Sequence, residues 1–354
     1  MPKPSDNSTY QPLVSIAIDN YNYGRFLPQA IESSLNQTYA RVEVIVVDDG
    51  STDNSCEVIR SYGARVVPVF KENGGQASAM NAGFAACSGD IIVFLDSDDF
   101  LLPHCVEKVV SVWRPGLAKV QYWLRVVGPN GNWGDNTIRR RILPSGDMRK
   151  PLLERGYYLS AGLGGSAFSR PALQQVIPIP EEDFRNLGDQ YLMVSIPFYG
   201  EVLSIQEELA CYRSHGGNQW AGSAYKPENL ARPVRMTQKR SKALATTARR
   251  MGFEVPHDLD RRNASDLKFR LASLKLMPDQ HPVAGDQVLK LCRDGVRAVW
   301  KYWDDLDTPR RLAWSLWFLM VALSPSFVAR ALYVWTFLPE TRPRLLRPLF
   351  RRVG

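Results

Sequence analysis

Short apolar runs alternate with amphipathic stretches over the first 130 residues of the chain. The four apolar runs are nearly continuous and rich in β-branched residues, as expected of strands buried on both faces of a sheet. They lie at 13–18, 42–47, 64–69 and 90–95. The helix-like stretches between them lie at 26–37, 54–63 and 75–89. This alternation predicts right-handed βαβ units, and therefore an α/β fold with a mostly parallel sheet flanked by helices.

The pattern changes after about residue 225, where the chain becomes helical and basic. Residues 1–225 contain 19 Lys and Arg against 24 Asp and Glu, whereas residues 226–354 contain 25 against 12. The front half is therefore acidic and the back half carries a net charge of +13, which favours an anionic partner. We predict an α/β domain over 1–225 and a basic helical region over 226–354.

Acidic residues follow two of the four predicted strands. "VVDDGSTD" places Asp48 and Asp49 after the second strand, and "FLDSDD" places Asp96, Asp98 and Asp99 after the fourth. The carboxyl ends of parallel strands meet at one edge of a sheet, where ligands bind. Helix capping by Asp and Ser explains part of the first cluster but not two acidic clusters at one edge.

Carboxylates packed this closely repel one another unless a cation lies among them. Oxygen ligands suit Mg²⁺ or Mn²⁺, and such ions commonly bridge one or two carboxylates to substrate phosphates. The second cluster therefore predicts a metal among Asp96, Asp98 and Asp99 that carries a diphosphate. Asp48 and Asp49 would instead accept hydrogen bonds from a nucleobase or ribose.

Several motifs together resemble the family 2 glycosyltransferases, which have the GT-A fold with a Rossmann-like nucleotide-binding half. They span roughly residues 13 to 220, in the family's order and spacing. The motifs are "VSIAIDNYNYGRFLPQAIESSLNQTY", "VEVIVVDDGSTD", "ENGGQASAMNAGFAACSGDIIVFLDSDD" and "YRSH". The resemblance implies an inverting hexosyltransferase that transfers a sugar from a nucleotide-diphosphate donor, with a UDP-sugar expected. The acceptor would be a hydroxyl of a glycan or lipid-linked molecule, as in polysaccharide biosynthesis.

The resemblance also implies roles for single residues. Asp189, in "NLGDQYL", falls where the family has its general base, which removes the acceptor proton during attack. The segment "GLGGSAF", with Gly164 and Gly165, would lie on the acceptor side. The metal is implied to be held by Asp98 and Asp99. The remaining residues implied to bind the nucleotide sugar are Asn20, Tyr21, Asp48, Asp49, Asp96, Asp98 and His215.

Three residues depart from the family pattern. Asp19 replaces a proline that members often carry, Gly188 replaces a glutamate before the base, and Met80 occupies a position that is often basic. These departures leave the donor specificity open.

The last part of the chain combines apolar, aromatic and basic residues. Residues 312–329 are eighteen uncharged residues between Arg311 and Arg330, at the lower limit for a membrane-spanning helix. Five arginines follow between 342 and 352. We predict a peripheral protein at the inner face of the cytoplasmic membrane, held by apolar insertion and by anionic lipid. A buried helical hairpin, an oligomer contact and a full crossing are the alternatives.

Two further observations favour the cytoplasm. The five cysteines are scattered without a CxxC pair, and the N-terminal residues show no secretory signal. Nucleic acid is not an expected partner, because the aromatics of the basic half cluster with aliphatic residues.

Three other functions fit the sequence less well. "GLGGSA" at 162–167 matches a dinucleotide-binding fingerprint, but no clear strand precedes it, as an oxidoreductase would require. A nucleotidyltransferase would need a basic, glycine-rich phosphate loop near the N-terminus, and "IDNYNYGRF" is a poor one. A non-catalytic scaffold that only binds nucleotide would not require Asp98, Asp99 and Asp189.

Overall fold

The computed structural model describes residues 11–132, 142–218, 226–303, 306–338 and 341–342. The chain divides into two compact units. The first consists of Met1–Met148 and Leu159–Ser214, and the second of Arg149–Tyr158 and His215–Gly354. Each unit has its own hydrophobic core.

The centre of the first unit is a sheet in which eight strands are described. They are β1 (Val14–Asn20), β2 (Val42–Asp48), β3 (Val67–Phe70), β4 (Ile91–Asp96), β5 (Phe100–Leu101), β6 (Leu117–Val127), β7 (Ser166–Ser169) and β8 (Glu201–Arg213). Their order in the sheet is β3-β2-β1-β4-β7-β6-β8-β5.

The helices follow the same chain order. They are α1 (Leu27–Leu35), α2 (Ser55–Ser61), α3 (Gln76–Ala86), α4 (Cys105–Ser111), α5 (Arg149–Arg155), α6 (Arg170–Leu173), α7 (Glu181–Phe184), α8 (Gly188–Ser195), α9 (Ala231–Arg250), α10 (Ala264–Leu276), α11 (Val288–Lys301), α12 (Thr308–Leu323) and α13 (Ser326–Phe337).

The first half of the sheet has the predicted βαβ arrangement. β3, β2, β1 and β4 are all parallel, and α1, α2 and α3 connect them. β1, β2 and β4 form because their apolar runs are buried on both faces: every residue of β4 from Ile91 to Leu95 is buried. The predicted α/β fold is therefore confirmed. β3 differs from the prediction, because it is the last strand on one side of the sheet and most of its residues are exposed. The third strand begins later than predicted, because Gly63–Arg65 forms a turn of 3₁₀ helix.

The second half of the sheet is mixed. β7 pairs antiparallel with both β4 and β6, and β8 runs parallel to β6. β5 adds an antiparallel edge beside β8. This half brings the loop after β4 next to the carboxyl end of β8.

The second unit is helical, as predicted for the end of the chain. α11 and α12 pack closely because Gly295 has no side chain: a Cβ there would lie 2.2 Å from the Phe318 ring. The core also contains a buried lysine, Lys268, whose Nζ lies 3.8 Å from the centre of the Trp314 ring. Burial lowers the pKa of Lys268 to about 7. No helix in the described parts of the chain has both the length and the hydrophobicity to cross a membrane.

Candidate active site

The carboxyl ends of β1, β2 and β4 meet at one edge of the sheet in the first unit. The strand register pairs Asn20 with Asp48 and Asp19 with Asp96. Because β1 lies between β2 and β4, the two acidic loops converge at its end. The structure thus brings together the two clusters that the sequence predicted to share an edge.

Hydrogen bonds between the loops fix the orientation of the Asn20 amide. Its Nδ2 donates to Asp48 Oδ1 at 2.9 Å and to Ser51 Oγ at 3.2 Å. Asp48 Oδ2 also accepts from the Ser51 backbone N–H at 2.9 Å. The Asn20 Oδ1 is buried, and no partner for it exists among the described residues. A fixed acceptor at this point suits a donor group on a bound ligand.

The loop after β1 is fastened to the loop after β2. Asn22, in the left-handed conformation at φ +58, accepts a 2.7 Å bond from the Thr52 N–H. The Gly24 N–H donates to Asp53 Oδ2 at 2.9 Å. Tyr21 directly precedes the first of these attachment points, and its side chain is exposed. The "GSTD" residues therefore hold the loop after β1 in place, in addition to leading into α2.

Asp49 has a different environment from Asp48. Its Oδ1 accepts from Lys71 Nζ at 2.7 Å and from the Gly74 N–H at 2.9 Å. Its Oδ2 accepts from the Gly75 N–H at 2.6 Å and from Asn73 Nδ2 at 3.2 Å. Four protein donors therefore surround this buried carboxylate, and it anchors the segment that leads into α3.

Asp19, Asp96 and Asp98 form a carboxylate cluster with strongly coupled charges. Burial raises the pKa of Asp96 to about 7, with further contributions from Asp98 and Asp189. Burial, with the charges of Asp96 and Asp98, also raises the pKa of Asp19 well above its usual range. The Asp19 Oδ1 is buried without a partner among the described residues. Either protonation or a bound cation would therefore relieve the repulsion within this cluster.

Asp99 connects the loop after β4 to the end of β8. Its Oδ1 accepts a 2.8 Å bond from the Arg213 N–H, while Arg213 Nε donates to the Asp98 carbonyl at 2.8 Å. The guanidinium of Arg213 also lies 4.7 Å from the centre of the Phe26 ring. The buried Arg213 therefore holds the loop after β4 in place at Asp98 and Asp99.

Asp189 lies in the first turn of α8, and its charge acts on Asp96. Gly188 and Met80, two of the residues that depart from the family pattern, lie close together at the start of this helix. A Cβ on Gly188 would lie 2.7 Å from the Met80 sulfur, so a larger residue at 188 would require the Met80 side chain to move. Gly188 and Met80 thus form one packing contact that sets α8 beside α3, with Asp189 at the same edge as the carboxylate cluster.

The predicted acceptor-side glycines lie next to the acidic loop. A Cβ on Gly164 would be 3.5 Å from Asp99 Oδ2. Gly165 packs against the backbone of β6, where a Cβ would lie 2.6 Å from the Tyr122 carbonyl oxygen. The segment then continues into β7 instead of a helix, so "GLGGSA" lacks the helix that a dinucleotide fingerprint requires.

His215 belongs to the second unit and is buried. Its ring Nδ1 accepts a 3.1 Å bond from the Gly217 N–H, and the backbone N–H of His215 donates to Asn218 Oδ1. Acceptance at Nδ1 places the proton of the neutral ring on Nε2.

The carboxylate cluster has the chemistry of a divalent cation site but not a complete set of ligands. No group of three or more His, Cys, Asp or Glu side chains converges as a metal site in the parts of the chain that are described. Mg²⁺ and Mn²⁺ need only one or two protein carboxylates when phosphates and water supply the other ligands. The unpartnered oxygen of Asp19 and the repulsion around Asp96 fit a cation that binds together with a diphosphate.

Sequence reasoning missed three contributors to this site. Asp19 was noted only as a departure, although an acid one residue before the end of a buried strand points to a ligand site. Lys71 and Arg213 act through contacts with Asp49 and Asp99, which lie 22 and 114 residues away. No local pattern reveals pairs so far apart.

Comparisons with known proteins agree with this geometry. The family model described as "Glycosyl transferase family 2" matches residues 15–176. An uncharacterized glycosyltransferase of Nostoc sp. (strain PCC 7120) is 36% identical over 217 residues, which is 60% of this chain and 67% of that protein. The chain belongs to glycosyltransferase family 2.

Other family 2 relatives are matched over smaller parts. An uncharacterized glycosyltransferase of Rickettsia typhi is 41% identical over 105 residues, and this chain spans 33% of its length. The chondroitin synthase of Pasteurella multocida is 44% identical over 126 residues, only 13% of that synthase.

Solved structures agree on the fold. S. aureus TarS 1–349 in complex with UDP-GlcNAc superimposes with a TM-score of 0.54 at 13% identity, over 90% of this chain and 92% of TarS 1–349. At this identity the likeness shows the family 2 fold alone, and it agrees with the predicted GT-A-type sheet.

Proposed function

We propose that the protein is an inverting, metal-dependent hexosyltransferase that moves a sugar from a UDP-sugar to a hydroxyl of a glycan or lipid-linked acceptor. One observation carries the proposal. Asp189 acts on Asp96 at the same sheet edge where Asn20 and Asp48 hold an oriented acceptor pair. Family 2 membership and the UDP-GlcNAc complex of TarS support the choice of donor.

The nucleoside would bind over the ends of β1 and β2. Asn20 Oδ1 and the Asp48 carboxylate are acceptors suited to an imide N–H or ribose hydroxyls, and the exposed Tyr21 offers a ring beside them. The four donors around Asp49 make it the support of this subsite, so Asp48 is the acid proposed to contact the ligand.

The diphosphate would lie over the end of β4. Asp98 and Asp99, the acids to which the family resemblance assigns the metal, would hold Mg²⁺ or Mn²⁺ here, with Asp96 and Asp19 in the same carboxylate cluster and with the Arg213 N–H fixing the Asp99 carboxylate. When bound, such an ion supplies positive charge that stabilises the leaving diphosphate. The nucleotide-sugar role of His215 that the family resemblance implies stays a prediction.

The chemical step is a single displacement at the anomeric carbon. The acceptor oxygen forms the new C–O bond while the bond to the diphosphate breaks, and UDP leaves with the electron pair. Asp189 accepts the proton of the acceptor hydroxyl as that oxygen attacks from the opposite face. Gly164 would leave room on this side for the acceptor, while Gly165 lets the segment pack against β6.

A panel of nucleotide sugars with Mn²⁺ tests the proposal through release of nucleoside diphosphate. Asp189→Asn should lower kcat by about 10²–10⁴-fold with little change in UDP binding, because it removes the base. The control is Glu182→Gln, an exposed acid on the neighbouring α7, which should retain full activity.

Other outcomes assign other functions. Tight UDP binding without turnover of any donor would identify a scaffold. Release of pyrophosphate from a nucleoside triphosphate and a sugar phosphate would identify a nucleotidyltransferase. A product with retained anomeric configuration by NMR would contradict the role of Asp189.

We further propose that the protein works as a peripheral enzyme at the inner face of the cytoplasmic membrane. A basic second half and an acceptor carried on lipid would both favour that location.

A further inference from the structure

The outward side of α12 is apolar from Leu312 to the end of the helix at Leu323. Within residues 312–323 the one polar side chain is Ser315, which is buried. A helix at a protein surface normally presents polar residues to water, so this surface is one that another apolar phase should cover. The exposed side chains are Leu312, Leu316, Leu319, Met320 and Leu323.

The surface continues onto both neighbouring helices. Phe327, at the start of α13, is 76% exposed. On α11, Leu289 and Trp300 are exposed and lie eleven residues apart, about three turns, so they share one side of that helix. Trp300 Nε1 donates to Ser315 Oγ at 2.9 Å, which joins this side of α11 to α12. We call these exposed side chains of α11, α12 and α13 the apolar face.

Cations border the apolar face. The outward side of α11 also exposes Lys290, Arg293, Arg297 and Lys301. Its one acid, Asp294, is buried and accepts a 2.9 Å bond from Arg261 Nη1. Five further arginines follow α13 in the sequence, between 342 and 352. The charge that α11 places next to the apolar face is therefore positive, which complements an anionic lipid surface and repels a second copy of the same face.

We propose that the apolar face is a membrane-binding surface on which α12 lies parallel to an anionic bilayer. The leucines and Phe327 enter the boundary between headgroups and acyl chains, Trp300 lies at the headgroup level, and the α11 cations contact lipid phosphates. This deepens the membrane location proposed above and names its residues. It does not depend on the donor or on the base.

Vesicle flotation of the full chain tests the proposal. We expect binding to phosphatidylcholine vesicles that contain roughly one third phosphatidylglycerol, weaker binding to phosphatidylcholine alone, and a fall to that weaker level in high salt. The combined variant Leu316→Gln, Leu323→Gln and Phe327→Ser should weaken binding at least about tenfold, because three inserted side chains are lost. The matched control is Ile142→Gln, an 84% exposed apolar residue of the first unit, which should bind like the wild type.

A charge variant separates the two contributions. Lys290→Gln with Arg293→Gln should remove most of the preference for phosphatidylglycerol and leave the weaker binding to neutral vesicles. UDP binding and thermal melting of every variant check that the fold is retained, so a failure here is distinct from a failure of the proposed sugar transfer.

Two results would overturn the proposal. One is wild-type protein that stays in the lipid-free fraction at every vesicle composition. The other is a dimer in light scattering that the triple variant converts to a monomer, which would assign the apolar face to a second copy of the chain.

Discussion

Asp19 on β1 lies directly opposite Asp96 on β4, paired by the parallel register of the two strands. Neighbouring strands lie about 4.8 Å apart, so two carboxyl groups are held beside each other at the edge of the sheet. Burial raises the pKa of both carboxyl groups, and the charge of Asp96 raises the pKa of Asp19 further. This pair makes the site sensitive to pH and to cations.

The first prediction concerns the pH dependence of stability without metal. The pKa of Asp96 is about 7 in the folded protein, against about 3.9 in an unfolded chain. Between these values the folded state binds more protons than the unfolded state, so the free energy of unfolding falls as pH rises from about 4 to about 7 and then levels off. Asp96→Asn should remove its share of this fall, up to about 1.4 kcal/mol per pH unit.

Thermal melting in EDTA at several pH values between 5 and 8 measures this effect as the difference between wild type and Asp96→Asn. Glu182→Gln should follow the wild type throughout. A difference that grows in the opposite direction, with the wild type gaining stability as pH rises, would rule out a raised pKa at Asp96.

The second prediction concerns Asp19. Asp19→Asn removes one charge from the cluster, so the metal-free protein should melt at a higher temperature at pH 8. A gain of about 1 kcal/mol would raise the melting temperature by about 2–4 °C in a unit of this size. The stabilisation by Mn²⁺ with UDP should become smaller, because a carboxylate that attracts the cation is lost. Both shifts are read by thermal melting with and without Mn²⁺ and UDP, and an unchanged Mn²⁺ effect would exclude Asp19 from the cation site.

The third prediction separates the two adjacent acids after β2. Asp49→Asn leaves some of the four donors around this carboxylate without an acceptor, so it should destabilise the first unit by about 3–5 kcal/mol. Asp90→Asn is the control. Among the described residues the Asp90 carboxylate accepts one hydrogen bond, from the Leu13 N–H at an exposed position, so the substitution should cost under about 1 kcal/mol. Urea unfolding gives both values, and equal costs would show that Asp49 is not an anchor.

The fourth prediction concerns the second unit. Gly295→Ala places a methyl group against the Phe318 ring, so α11 and α12 must separate, at a cost of about 1–3 kcal/mol. Gly216→Ala meets nothing within 4 Å and should be nearly neutral. The melting temperatures of the two variants test this, and a neutral Gly295→Ala would mean that the two helices can adjust freely.

The sequence by itself determined the first half of the sheet and the place of the acids. Strands β1, β2 and β4 lie within two residues of their predicted bounds, because runs buried on both faces leave a local signal that needs no partner to be recognised. The position of Asp48 and Asp96 follows from the same pattern, since parallel strands place their carboxyl ends at a common edge.

Only the tertiary structure decided which hydrogen-bond partners each of these acids has. Asp48 and Asp49 are adjacent and chemically identical, yet Asp49 is surrounded by donors from a loop 22 to 26 residues away. Three other features also depend on partners distant in sequence. They are the mixed order of β6, β7 and β8, the hydrogen bond from Arg213 to the Asp98 carbonyl, and the pairing of Asp19 with Asp96. Local patterns fix which face of a strand is buried, but strand register and long-range hydrogen bonds arise only when the whole sheet forms.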